Sequence, residues 1–143
     1  MIQNMKKLSL FLLFFLATFS LASKDVRLPS SFQEVSSYLK VNKKLPSNYI
    51  RKSEASRRGW NPRKGNLWTV LPGKSIGGDY FGNREGKLPR NKCGNRTRWY
   101  EADIDYKGGT RGAKRIVFCL TQGNKNVYIY KTENHYKTFE EIR

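Results

Sequence analysis

The chain has 143 residues, 28 Lys and Arg against 11 Asp and Glu, one histidine and two cysteines, for a formal net charge of +17. That length suits one domain with one modest core. So lopsided a charge favours nucleic acid or anionic surfaces as partners, the plainer alternative being a solvated, solubility-promoting surface. Two cysteines and one histidine fall short of the Cys and His set that a structural zinc site needs.

The first 22 residues run from Lys6 and Lys7 through an apolar stretch to Ser20-Leu21-Ala22. This is the pattern of a secretory signal peptide cleaved after Ala22, and its apolar run is shorter than a spanning helix needs. Cleavage leaves residues 23–143, with 26 basic and 11 acidic side chains. Export makes a single disulfide between Cys93 and Cys119 the default, with free buried thiols as the other reading.

Ser31-Phe32-Gln33-Glu34 has the spacing of a capping box, and Phe32, Val35, Tyr38 and Leu39 recur at helical intervals, which predicts a helix over 31–41. Lys52 to Arg58 reads as a second short helix stopped by Gly59, and 66–71 as a third helical piece ending at Pro72-Gly73. Beyond Gly73, β-branched and aromatic residues dominate short segments between Gly-, Asn- and Lys-rich turns, which predicts strands at 75–80, 98–104, 115–120, 126–131 and 138–142. The turns at 107–112 and 122–125 make successive strands antiparallel. Helices first and strands afterwards argue an α+β fold, with the N-terminal helices packed on one face of a five-stranded antiparallel sheet. Gly73-Lys74-Ser75 ends like a phosphate loop, but the first glycine of that motif would fall at Trp68, so nucleoside triphosphate binding is discarded.

RNA carries its own nucleophile, the ribose 2′-OH. A protein that cleaves it needs a base at that hydroxyl, an acid at the leaving 5′-oxygen and cations for the phosphorane, roles that Glu, His and Arg can fill. Alternation over Trp99-Tyr100-Glu101-Ala102-Asp103-Ile104-Asp105 puts Trp99, Glu101, Asp103 and Asp105 on one face of a strand and Tyr100, Ala102 and Ile104 on the other. Taken alone, Glu101 reads first as the partner of an arginine on a neighbouring strand, and His135 as an ordinary structural histidine. Interleaved aromatics and cations, Tyr80, Phe81, Arg84 and Tyr128 among them, suit stacking on single-stranded RNA or an ordinary sheet core and solvated surface.

The words Lys44-Leu45-Pro46-Ser47-Asn48-Tyr49-Ile50, Gly73-Lys74-Ser75-Ile76-Gly77-Gly78-Asp79, Asn83-Arg84-Glu85-Gly86-Lys87-Leu88-Pro89 and Glu101-Ala102-Asp103-Ile104, with the tail from Tyr130 through His135-Tyr136-Lys137-Thr138-Phe139 to Arg143, closely resemble the secreted bacterial guanyl-preferring ribonucleases of the barnase and binase type. The resemblance runs in order from about Phe32 to the C-terminus and implies one ribonuclease domain over 23–143. It implies Glu101 as general base and His135 as general acid, Lys52, Arg111 and Arg115 as phosphate-binding cations, and Asp79 as a carboxylate that helps to position them. Guanine would be read by the loop amides of Gly82, Asn83 and Arg84 and by the Glu85 carboxylate, with Phe81 and the His135 ring flanking the base and Tyr136 closing the pocket. The resemblance implies a secreted monomer, extracellular or periplasmic, needing no metal or other cofactor, acting on single-stranded RNA and open to a barstar-like acidic inhibitor protein. The alternative is a non-catalytic cationic nucleic-acid or envelope binder on the same scaffold.

Three departures from the family stand out. Thr110 replaces an aromatic before the first site arginine, the charge is unusually high, and the segments 90–98 and 121–126 are longer by a few residues. Each long segment adjoins or contains a cysteine. Antiparallel pairing of 98–104 with 115–120 would bring Cys119 close to Cys93, and a disulfide there would pin the enlarged loop to the sheet.

Overall fold

A computed structural model describes residues 27–143; the expected signal peptide and its cleavage point lie outside these residues. Helix α1 spans Phe32–Asn42, and its start is the expected capping box: the Glu34 amide donates to Ser31 Oγ at 3.2 Å while the Ser31 amide donates to the Glu34 carboxylate at 3.0 Å. Lys43, at φ 54°, ends the helix with its amide on the Leu39 carbonyl. Then follow β1 (Tyr49–Ile50), α2 (Lys52–Arg57) and α3 (Leu67–Val70). The strands β2 (Ser75–Phe81), β3 (Trp99–Asp103), β4 (Arg115–Leu120), β5 (Val127–Thr132) and β6 (Glu140–Glu141) complete the chain.

The fold is the expected α+β arrangement, with helices packed against one mostly antiparallel sheet in the order β1-β2-β3-β4-β5-β6. The five expected strands are all present, and a sixth, the two-residue β1, adds a parallel pairing of Tyr49 with Ser75 and Ile50 with Ile76. A pairing so short leaves no alternation in the sequence to read.

On one sheet face Val35 and Leu39 of α1 pack against Ala102, Ile104, Ile116, Phe118 and Ile129. Val35, Leu39 and Ile116 are fully buried, and truncating such a side chain to Ala costs about 2–5 kcal/mol. On the other face Leu88, Trp99, Val117, Cys119 and Tyr130 form a second layer. Helices α2 and α3 gather with Trp60 and Tyr106 around Ile76 at the β1–β2 side of the sheet.

One irregularity decides what the second face carries. Gly77 pairs with Ala102, but the next partners are Asp79 and Glu101, so β2 holds one extra residue, Gly78 at φ 92°. This bulge turns Asp79 and Phe81 onto the face of Glu101 and Trp99. A Cβ on Gly77 would stand 2.6 Å from the Tyr49 ring and 2.7 Å from the Ala102 Cβ, which explains the first glycine of the pair. Among the described residues no helix is long and apolar enough to cross a membrane.

Candidate active site

Glu101 sits in the middle of β3, with its side chain 7% exposed. The Lys52 ammonium donates to Oε1 at 2.5 Å and the Tyr136 hydroxyl donates to Oε2. Burial pushes the Glu101 carboxyl up, but these two hydrogen bonds and the charges of Lys52 and Arg111 outweigh it and hold the group below the ordinary carboxylate range. The carboxylate is therefore ionised at neutral pH. The Tyr136 phenol moves the opposite way, raised by burial and by the adjacent carboxylate, so it stays a donor.

Lys52 reaches Glu101 because α2 starts there. Its backbone amide, an unpaired donor of the first helical turn, donates to Asp79 Oδ2 at 3.0 Å. The bulge that turns Asp79 inward thus seats the helix end that carries the lysine. Among the described residues Asp79 forms no side-chain ion pair; its contact with Lys52 is through the main chain.

The carboxylate that holds the two arginines is Asp103, two residues beyond Glu101 on the same face and 2% exposed. Arg111 grips it with a fork, Nε to Oδ2 at 2.7 Å and Nη2 to Oδ1 at 2.6 Å. Arg115 Nε lies 2.9 Å from Oδ1, and its Nη1 donates to the carbonyls of Gly112 and Lys114. Alternation along β3 places Asp103 on this face without giving it a role; a carboxylate at i+2 from Glu101 is the signal the sequence offers. The three cations are not equally presented, since the Lys52 side chain is 42% exposed, Arg111 20% and Arg115 3%.

His135 lies in the turn after β5, exposed, and its amide donates to the Ala113 carbonyl at 3.2 Å, tying this turn to the loop that carries Arg111. Both His135 (φ 54°) and Tyr136 (φ 69°) adopt the left-handed region, an uncommon pair for residues with Cβ atoms. Local side chains hold the turn there: Thr132, buried, accepts from the Tyr136 amide at 3.0 Å, and Asn134 Oδ1 accepts from the Thr138 amide at 3.0 Å. The His135 and Tyr136 rings are 4.8 Å apart, so Tyr136 bridges His135 and Glu101.

Next to this group lies a small pocket lined by Phe81, Asn83, Arg84, Glu85, Lys87, Tyr136 and Phe139. The Asn83 side chain closes its loop by accepting from the Leu88 amide at 3.0 Å and donating to the Leu88 carbonyl at 2.9 Å. Glu85, 74% exposed, pairs with Lys87 at 2.6 Å. Gly82 lines the neighbouring cleft and not this pocket. The Tyr136 ring is stacked on Phe81 at 5.1 Å and also lies against the His135 ring.

Cys93 and Cys119 form the expected disulfide, with Cα atoms 6.1 Å apart. Tyr100 pairs with Phe118, which puts Cys119 opposite Trp99 at the start of β3 and within reach of the loop over 90–98.

The ribonuclease family's sequence model matches residues 32–143, and the chain belongs to that family of RNA-cleaving enzymes. A ribonuclease of Heyndrickxia coagulans is 52% identical over 114 residues, which cover 80% of this chain and 97% of that protein. Ribonucleases of Bacillus intermedius and Bacillus pumilus are each 52% identical over 114 residues, 80% of this chain and 65% of theirs.

Proposed function

We propose that the chain is an exported endoribonuclease that cuts single-stranded RNA on the 3′ side of guanosine. Glu101 takes the proton of the ribose 2′-OH as that oxygen attacks phosphorus. The bond from phosphorus to the 5′-oxygen breaks, and His135 gives a proton to the departing oxygen. This yields a 2′,3′-cyclic phosphate. In the second step His135 takes a proton from water, the new bond to phosphorus displaces the 2′-oxygen, and Glu101 returns the proton, leaving a 3′-phosphate. Lys52, Arg111 and Arg115 balance the charge on the phosphorane, and the fixed Asp103 clamp keeps the arginines from reorganising as that charge develops. Because the substrate supplies the nucleophile and the arginines supply the charge, no metal is required.

The observation that carries this reading is the ionised Glu101, buried between Lys52 and Tyr136 on the face that also holds the Asp103–Arg111 fork. Guanine offers O6 as an acceptor and N1-H with N2-H₂ as adjacent donors, which the backbone amides of Gly82, Asn83 and Arg84 and the Glu85 carboxylate complement; adenine reverses part of that pattern. To admit the base, the Tyr136 ring leaves its stack on Phe81 and Glu85 turns from Lys87. The Cys93–Cys119 bridge, a bond that persists in oxidising compartments, supports action outside the cytoplasm. The enzyme works as a monomer, and its cationic face suits an acidic, barstar-like inhibitor protein. Purified protein acting on GpN and ApN dinucleotides in the presence of a chelator tests the reading. Cyclic phosphate from GpN far faster than from ApN is expected; no cyclic product from GpN, or loss of activity on chelation, would overturn it.

A further inference from the structure

The loop over 90–98 carries Arg90, Lys92, Arg96 and Arg98 and no acid. It is a built loop. Cys93 is bonded to Cys119 of β4, the Cys93 amide donates to Thr97 Oγ1 at 3.1 Å, and that hydroxyl donates to the Gly94 carbonyl at 2.7 Å. Lys92 pairs with Glu141 at 3.2 Å. Among the described residues Arg84, Arg90, Arg96 and Arg98 have no carboxylate partner, so their charge faces solvent unneutralised.

Between this loop and the end of β2 lies a cleft of about 470 Å³, with Arg84, Arg90 and Arg96 around it and Tyr80 and Trp99 on its walls. Tyr80 is 64% exposed, an unusual position for a strand aromatic. Asn83 and Arg84 line both this cleft and the small pocket beside Tyr136. A nucleotide held at that loop has its neighbour at the mouth of the cleft.

We propose that this cleft is a subsite for the RNA strand on the 5′ side of the guanosine, an inference that rests on the guanosine-specific cleavage proposed above. The guanidinium forks of Arg90 and Arg96 engage phosphodiester oxygens, and the Tyr80 ring stacks on a base. The polarity follows from the sheet. β3 runs from Trp99 at the cleft through Glu101 to Asp103, which holds Arg111 and Arg115, a span of about 13 Å at about 3.3 Å per residue. The scissile phosphate belongs with the arginines, and the strand 3′ of the cut leaves beyond them. The strand that reaches the Trp99 end is the 5′ one.

The test compares the wild type with an Arg90→Ser, Arg96→Ser double variant, changes on an exposed loop that leave the core untouched. Substrates are a GpN dinucleotide, the same dinucleotide lengthened by two nucleotides at its 5′ end, and one lengthened at its 3′ end. The variant is expected to match the wild type on GpN and on the 3′-extended substrate. On the 5′-extended substrate its kcat/KM falls about tenfold at low salt, and the slope of log kcat/KM against log salt flattens by about 1.4, for two single-strand phosphate contacts. An unchanged rate on the 5′-extended substrate, or an equal loss on the 3′-extended one, would overturn the proposal. Binding of a 2′-deoxy oligonucleotide of the 5′-extended sequence, followed by fluorescence anisotropy, separates the two readings. If GpN is not cleaved but the double variant still binds this probe more weakly, the cleavage reading fails and the cleft stands.

Discussion

Asp103 and Arg115 lie with carboxylate and guanidinium nitrogen 2.9 Å apart and side chains 2% and 3% exposed, an ion pair withdrawn almost entirely from water. Such a pair is not simply a source of stability, because taking both charges out of water costs much of what their attraction returns. Its consequence is rigidity. Asp103 also takes the Arg111 fork, so one buried carboxylate sets the position of two of the three site cations.

Asp103→Asn therefore leaves two guanidinium groups facing a neutral amide, one of them buried. A loss of about 3–5 kcal/mol in unfolding free energy is expected, the usual cost of breaking a buried pair from one side. Urea titration of the variant measures it. A loss under about 1 kcal/mol would mean that the arginines find other partners.

Lys52→Ala removes both the ammonium hydrogen bond and the largest favourable charge at Glu101. Burial then acts with less opposition, so the carboxyl titrates at higher pH than in the wild type. The acid limb of the kcat/KM profile, which reports the free enzyme, moves upward in pH, and with Lys52 in the proposed role at the phosphorane the plateau rate falls by about 10²-fold or more. A fallen rate with an unmoved acid limb would assign Lys52 to the phosphate alone.

Much of this is legible in the sequence. The capping box at Ser31 and Glu34 and the bounds of β4 follow from local spacing, whereas the disulfide, though long-range, follows from there being only two cysteines and from the antiparallel register that brings them together. Asp103 is legible as to face and not as to partner, since nothing in alternation says which arginine a loop will return to it. The parallel strand β1, the stacking of Tyr136 on Phe81, and the main-chain role of Asp79 are set by tertiary contacts across 20 residues or more. The left-handed φ of His135 and Tyr136 has no glycine to announce it; it is imposed by Thr132 and Asn134.

The capping box ties stability to acid. Hydrogen bonds from the Ser30 and Ser31 amides and the Ser31 hydroxyl hold the Glu34 carboxyl at about 2 in the folded chain, against an ordinary 4.5. A depressed folded value stabilises above the unfolded one, so this contribution is complete above pH 4.5 and is lost as pH falls towards 2. Ser31→Ala is expected to cost about 1 kcal/mol at neutral pH. The difference in stability between wild type and Glu34→Gln, followed by thermal unfolding at several pH values, should shrink across that window; a difference independent of pH would contradict the pairing.

The Cys93–Cys119 bridge closes a loop with a sequence separation of 26. Opening it with Cys93→Ser and Cys119→Ser together should lower unfolding free energy by about 3.5 kcal/mol, the chain-entropy value for a loop of that size. Equal denaturant midpoints for this variant and the wild type would show that the loop over 90–98 is held by its other contacts.

In the proposed reaction Glu101 is the group that takes the 2′-OH proton. The most direct test of this role is the rate of cyclic phosphate formation from GpN by Glu101→Ala, with far-ultraviolet circular dichroism confirming the fold. A fall of roughly 10²–10⁴-fold, the range for one acid–base group, is the predicted result. Formation at the wild-type rate would contradict it.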